Sequence, residues 1–339
     1  MRLCCVLLGL LAACGGAPRP GAASPSPILA SAPCAIAAYE PTLVALEKGL
    51  RSEFEHDGHG DELTTAALRE SFPGDEWEAF RVAAAAGACQ RITYLSDGLR
   101  ITGFIVRATP APASERQPVI LAVRGGNRQL GIFDDRVLFL LHRMSRAGFV
   151  VVATQLRGAD GGEGSDEFGG ADVHDVNALV PVVAALPDAD PARLYGYGAS
   201  RGGMELLLAV KAGLPVHAVA LRGPLLDLVA SRARRPELAT KVFEELIPGY
   251  AQDREGALRA RSPLAWPEAI RVPTLILHAV EDWRAAPADS ERFVAALRAR
   301  GIEAVLRLVE RDIHQLVLHA REEPREVAAW FDAHGAHPK

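Results

Sequence analysis

A short apolar run, Leu194 to Tyr197, meets Gly198-Ala199-Ser200-Arg201-Gly202, and Met204-Glu-Leu-Leu-Leu-Ala-Val210 follows at once as a helix-compatible segment. The pattern is strand, sharp turn, helix. Its turn reads G-x-S-x-G, where glycines leave room for a strained backbone that lifts the serine hydroxyl clear of a sheet. Ser200 is therefore the candidate nucleophile. A dinucleotide loop, G-x-G-x-x-G, is excluded by spacing: counting on from Gly196 and Gly198 puts Arg201 where the third glycine must stand. A plain structural turn stays open until partners for Ser200 are found.

Strand-like and helix-like segments alternate on either side of this turn. Arg91–Ser96 and Leu99–Val106 flank Asp97-Gly98, a dipeptide suited to a tight hairpin. The run 119–123 is continuously apolar, as strands buried on both faces are, and 149–154, 216–221, 272–278 and 303–309 read as further strands. Helical periodicity fills the intervals, including an amphipathic segment at 322–334. This alternation predicts an α/β fold with a mostly parallel sheet and helices on both faces. Residues 223–270 are long enough to cover a site partially.

In such sheets functional groups lie on loops at the carboxyl ends of strands. Asp282 follows the strand ending at His278, and His314 follows the strand ending at Val309. The order Ser200, Asp282, His314 is that of the alpha/beta hydrolases and differs from two other serine-peptidase arrangements. Glu281 and His319 are the alternatives for acid and base, and His319 is less well aimed at a strand end. His278, His142 and His217 read as structural or surface residues. The backbone N–H of Arg201, with that of Gly126 or Asn127, is the expected oxyanion hole.

The remaining polar clusters are weaker signals. His56-Asp-Gly-His59-Gly-Asp61-Glu62 has metal-ligand residue types, but glycines interrupt it, and a solvated loop is the expectation. The glycine-rich acidic loop 155–172 lacks the spacing of a calcium-binding loop and reads as shaping the site. No metal and no cofactor are expected. With 49% hydrophobic residues, 23% charged residues and a formal net charge of −5, the chain can bury a large core and offers nucleic acid no basic surface.

The first residues carry one positive charge and an apolar run too short to span a bilayer, an export signal ending Leu11-Ala12-Ala13-Cys14. That end resembles the bacterial lipobox, which implies lipidation of Cys14 and anchoring in the cell envelope, on the periplasmic side or at the outer membrane. Residues 14–33 read as a Pro/Ala/Ser tether, able to reach about 60 Å if extended. Residues 34–90 read as a small helical appendage and 91–339 as the catalytic domain. Cys34 and Cys89 form a candidate disulfide, because an exported pair meets an oxidising compartment.

Taken together, Tyr94-Leu-Ser-Asp-Gly98, Arg124-Gly-Gly-Asn127, Arg157-Gly-Ala-Asp-Gly-Gly-Glu-Gly164 with Phe168-Gly, Gly198-Ala-Ser-Arg-Gly-Gly203, His278-Ala-Val-Glu-Asp282-Trp-Arg and Asp312-Ile-His314 resemble the catalytic domain of the prolyl oligopeptidase family of serine peptidases. The resemblance implies that Ser200, Asp282 and His314 form a triad acting on small peptides, with carboxylic esters as the alternative substrate and a silent surface lipoprotein as the remaining reading. Two features depart from the family pattern. Arg124 stands where many relatives have histidine, and Ala279 replaces a usual glycine.

Overall fold

A computed structural model describes residues 26–110 and 114–335. The export signal, Cys14 and all but the end of the tether lie outside the described residues. Nine strands form one mixed sheet: β1 Ile28–Pro33, β2 Cys89–Ser96, β3 Leu99–Val106, β4 Gln117–Val123, β5 Val150–Thr154, β6 Ala189–Ala199, β7 Val219–Arg222, β8 Thr274–Ala279 and β9 Ala304–Val309. Their order across the sheet is β1-β2-β3-β5-β4-β6-β7-β8-β9. The first three run antiparallel to their neighbours, and β5-β4-β6-β7-β8-β9 are parallel. This is the predicted alpha/beta hydrolase architecture.

The hairpin between β2 and β3 forms at Asp97-Gly98, both with positive φ (52° and 79°), as a two-residue turn of this hand requires. The central parallel strands β5, β7 and β8 are buried along their length because helices cover both faces of the sheet, while the edge strand β9 is partly exposed.

Two boundaries differ from the sequence reading. The end of the expected tether is strand β1, paired with β2 from Ile28↔Tyr94 to Pro33↔Gln90. Its side chains are mostly exposed, so backbone pairing rather than side-chain burial fixes it and no apolar period could betray it. The expected appendage comprises α1 Tyr39–His56, α2 Thr65–Ser71 and α3 Gly74–Ala83. These helices share one core with a face of the sheet: Trp77 and Phe80 pack on Phe139 of α4 (Asp135–Ser145), with ring centroids 5.2 and 6.0 Å apart. Cys34 and Cys89 are joined as a disulfide that ties β1 to β2 across 55 residues, which stabilises by about 4 kcal/mol in a chain-entropy account.

After Asp172 the chain forms two short helices, α5 Val173–Asn177 and α6 Leu179–Ala184. The elbow helix is α7 Arg201–Lys211. Beyond β7, residues 223–270 start with α8 Leu228–Arg234 and build a cover with its own small core, in which Phe243 meets Phe168 of the acidic loop edge-on at 5.5 Å. No helix among the described residues is long and apolar enough to cross a membrane.

Candidate active site

Ser200 lies between β6 and α7 with φ 54° and ψ −122°, a left-handed conformation that non-glycine residues rarely adopt. The neighbouring glycines explain how it persists. A Cβ on Gly202 would lie 2.2 Å from the Val123 carbonyl and 2.4 Å from that of Arg124, and one on Gly198 would lie 2.6 Å from the Gly202 carbonyl. The elbow therefore presses directly onto the end of β4. Gly125 sits equally close, 2.9 Å from the Ala199 carbonyl by the same measure, so the loop after β4 and the elbow share one wall.

Asp282 and His314 come together from the loops after β8 and β9. His314 Nδ1 and Asp282 Oδ2 are 2.6 Å apart, and the backbone N–H groups of Arg284 and Ala285 donate to Asp282 Oδ1 at 2.8 and 3.0 Å. Burial by itself would raise the Asp282 carboxyl. The charges and hydrogen bonds of His314 and His278 outweigh it and hold the group well below the ordinary carboxylate range. Glu281 instead approaches His59 Nε2 at 3.1 Å, and His319 turns to Glu326 at 3.1 Å. Geometry thus selects Asp282 and His314 over both alternatives.

His278 is fully buried beside the acid, with Nε2 3.0 Å from Asp282 Oδ2 and 2.9 Å from the Ala285 carbonyl, and Nδ1 2.8 Å from Ser290 Oγ. It belongs to the support of Asp282. Asp312 plays a matching part for His314. Its carboxylate accepts from the backbone of Ile313, Val317 and His319 at 2.8 to 2.9 Å, which folds the loop that presents His314. Burial nevertheless raises the Asp312 carboxyl to about 6, against the pull of those donors.

The loop 124–131 carries the expected oxyanion donors. Arg124 holds it together: Nε donates to the Gln155 carbonyl at 2.6 Å, while the Nη groups donate to the carbonyls of Arg128 at 2.6 Å and Leu130 at 2.8 Å. Burial and the nearby Arg201 charge lower its pKa to about 10. A guanidinium can serve three loop carbonyls at once, which gives this departure from the family pattern a structural reason. Gly126 needs its glycine, with φ 68° and a would-be Cβ 2.0 Å from the Leu130 carbonyl.

Arg201, predicted only as a backbone donor, has a fully buried side chain that joins three parts of the site. It pairs with Asp166 at 2.6 Å, with Asp172, and with Glu205 at 2.8 Å, and donates to the Gly126 carbonyl at 3.1 Å. Burial opposes its charge, but the three carboxylates more than compensate and raise its pKa. The glycine-rich acidic loop is thereby locked to the elbow. At its start, Arg157 pairs with Asp175 at 2.7 Å and with Asp97 of the hairpin turn at 2.8 Å.

The segment 56–62, expected to be a solvated loop, instead packs against the loop that carries Asp282. His56 lies against Trp283 with ring centroids 4.7 Å apart, and both Asp57 carboxylate oxygens are buried without a hydrogen-bond partner. Sequence alone offered no signal for this contact, because it joins residues more than 200 positions apart.

Ser200 and His314 line one cavity of about 230 Å³, together with Gly126, Asn127 and Arg201. Its walls are mostly apolar, from Leu130, Ile132, Phe133 and Val137 on one side and Leu225 and Leu238 on the other. The arrangement provides a cavity-lining serine hydroxyl and an imidazole oriented by an ionised carboxylate in the same cavity, two of the parts that acyl transfer requires.

The family model described as "Prolyl oligopeptidase family" matches residues 136–337. Among curated proteins, the uncharacterized peptidase YtmA of Bacillus subtilis is 29% identical over 56% of this chain and 72% of its own length. The uncharacterized peptidase YuxL of the same organism is 25% identical over 70% of this chain and 38% of its own length. Among solved structures, an acylaminoacyl peptidase of Pyrococcus horikoshii superposes with a TM-score of 0.61 at 21% identity, over 74% of this chain and 42% of that one. A puromycin-hydrolyzing peptidase of Mycobacterium tuberculosis gives 0.62 at 23% identity, over 75% and 40%. Both structures thus share the fold, and this chain spans less than half of each.

Proposed function

Because the chain belongs to the prolyl oligopeptidase family, we propose that it is a serine peptidase that cleaves small peptides through an acyl-enzyme on Ser200. The observation that carries this reading is the 2.6 Å contact between His314 Nδ1 and Asp282, on an imidazole that lines the same cavity as the strained Ser200. With Nδ1–H committed to the carboxylate, Nε2 is the basic nitrogen and accepts the Ser200 proton as Oγ attacks the carbonyl carbon. The backbone N–H of Arg201, with that of Gly126 or Asn127, receives the developing oxyanion; each such donor lowers the barrier by about 3 to 4 kcal/mol. The C–N bond then breaks as His314 returns the proton to the amine, and water releases the acyl group by the same steps in reverse.

The export signal and the lipobox-like Leu11-Ala12-Ala13-Cys14 support a location in the cell envelope, anchored through lipid on Cys14. The buried disulfide between Cys34 and Cys89 is consistent with an oxidising compartment.

The test is fluorophosphonate labelling followed by mass spectrometry of the modified peptide, beside turnover of peptide and short-acyl ester substrates. Labelling at Ser200 that is lost in His314→Ala, with peptide turnover lost in a folded Ser200→Ala, is the expected result. Turnover retained in Ser200→Ala overturns the assignment, and turnover of esters alone replaces peptides with the alternative substrate.

A further inference from the structure

The cavity beside Ser200 is lined by five guanidinium groups, and four are already committed. Arg201 has three carboxylates, Arg222 has Glu323 at 3.2 Å, Arg235 has Glu237 at 3.0 Å, and Arg284 has Glu53. Arg136 differs from these in having no acidic partner among the described residues, while an unpartnered buried N–H is a feature it shares with Arg284, whose Nε is also open. The Arg136 Nη1 is buried without a hydrogen-bond partner, and no carboxylate among the described residues lies within ion-pair distance of it. The Oε1 of Gln315, which lines the same cavity, is also buried and unpartnered.

The two carboxylates of the cavity wall do not answer Arg136. Glu53 is engaged by Arg284, although its Oε2 and the Arg284 Nε are themselves buried without a hydrogen-bond partner, and Asp134 caps α4 by accepting from the Val137 N–H at 2.9 Å. Nor does helix stability explain a cation here, because Arg136 stands in the first turn of α4, where the helix dipole disfavours positive charge. A buried donor and a buried acceptor left open in one cavity cost free energy unless a ligand completes them. The matching ligand offers a carboxylate to the guanidinium and an N–H to the glutamine oxygen.

The chain position of Gln315 places this pair relative to the chemistry. It directly follows His314, the group that protonates the departing amine, and shares the cavity of Ser200 and Arg136. Resting on the serine peptidase reading above, we propose that Arg136 and Gln315 form a subsite for the free carboxyl terminus of a short leaving peptide, Arg136 binding the carboxylate and Gln315 accepting a backbone N–H. The substrate class is then short peptides with a free carboxyl end close behind the cleaved bond, and the products are an acyl fragment and an amino acid or dipeptide.

The experiment uses the full chain and paired peptides that differ only in a C-terminal carboxylate or carboxamide. The expected result is a preference for the free acid of about tenfold or more in kcat/KM, carried by KM, as a charge-assisted contact gives. In Arg136→Gln the ratio of acid to amide falls toward one, and in Arg136→Lys part of it returns. Fluorophosphonate labelling of Ser200 in each variant reports an assembled site. Equal turnover of acid and amide by the unaltered chain, or an unchanged ratio in a labelled Arg136→Gln, overturns the subsite while the peptidase reading stands. A preference kept when the carboxylate is moved to a side chain of the leaving residue reassigns the subsite to acidic side chains and overturns the terminal-carboxylate form. Absence of both labelling and peptide turnover in the unaltered chain overturns the underlying reading and the subsite with it.

Discussion

Glu53, in the last turns of α1, pairs with Arg284, two residues beyond the carboxylate that orients His314. The contact crosses 231 positions of sequence and makes the N-terminal helices part of the wall that holds Asp282. His56 against Trp283 and His59 against Glu281 extend the same seam.

Removing the Glu53 carboxylate leaves the Arg284 guanidinium half-buried and uncompensated. Glu53→Gln is expected to cost about 1 to 3 kcal/mol of stability and to lower kcat/KM through a looser Asp282 loop. Denaturant unfolding and steady-state kinetics on Glu53→Gln, Arg284→Met and the double variant check this. A coupling free energy near zero between the two sites contradicts the clamp.

Glycine is indispensable at the elbow and dispensable in α1. A Cβ at Gly202 has nowhere to go, since the atoms it meets are backbone carbonyls of β4, so Gly202→Ala is expected to abolish folding or turnover. Gly49 lies in the exposed interior of α1 with open space around its would-be Cβ, and Gly49→Ala is expected to stabilise by about 0.5 to 1 kcal/mol. Soluble yield and thermal midpoints of the two variants give opposite results if this is right.

Arg201→Met deletes the cation that pairs with Asp166, Asp172 and Glu205, all buried. Removal of one partner from a buried charge cluster costs about 3 to 5 kcal/mol, so this variant is expected to unfold at markedly lower denaturant concentration. A loss below 1 kcal/mol would show that the acidic loop is held by other contacts.

Asp57 makes the pH prediction. Burial first, and then the nearby Asp282 charge, raises its carboxyl to about 6. The folded state therefore holds this proton more tightly than the unfolded state, and its stabilising contribution is present below about pH 4 and is lost as pH rises toward 6. Asp57→Asn, neutral at every pH, is expected to raise the thermal midpoint at pH 8 and to leave it nearly unchanged at pH 4. A gain of equal size at both values would rule out titration of Asp57 as the cause.

Much of the fold was legible because its signals are local. The strand–turn–helix around Ser200, the Asp97-Gly98 hairpin and the apolar runs of the parallel strands each depend on a few adjacent residues. So did the order of Ser200, Asp282 and His314, since strand ends mark where functional loops begin. Strand β1 escaped because an edge strand with exposed side chains is fixed by backbone pairing, which has no residue code. The N-terminal helices were legible as helices, but not as a wall of the site.

The sequence by itself determined the strands from β2 onward, the elbow and which serine, acid and base could meet, because backbone propensity and hydrophobic period act over short distances. Only the tertiary structure decided that Arg124 ties the loop 124–131, that Arg201 gathers three carboxylates, that Glu53 clamps Arg284 and that Arg136 is left without an acid among the described residues. Those facts are pairings between charges far apart in the chain. A charge has no period and no fixed spacing, so its partner is settled by where folding places it and by how little water remains there.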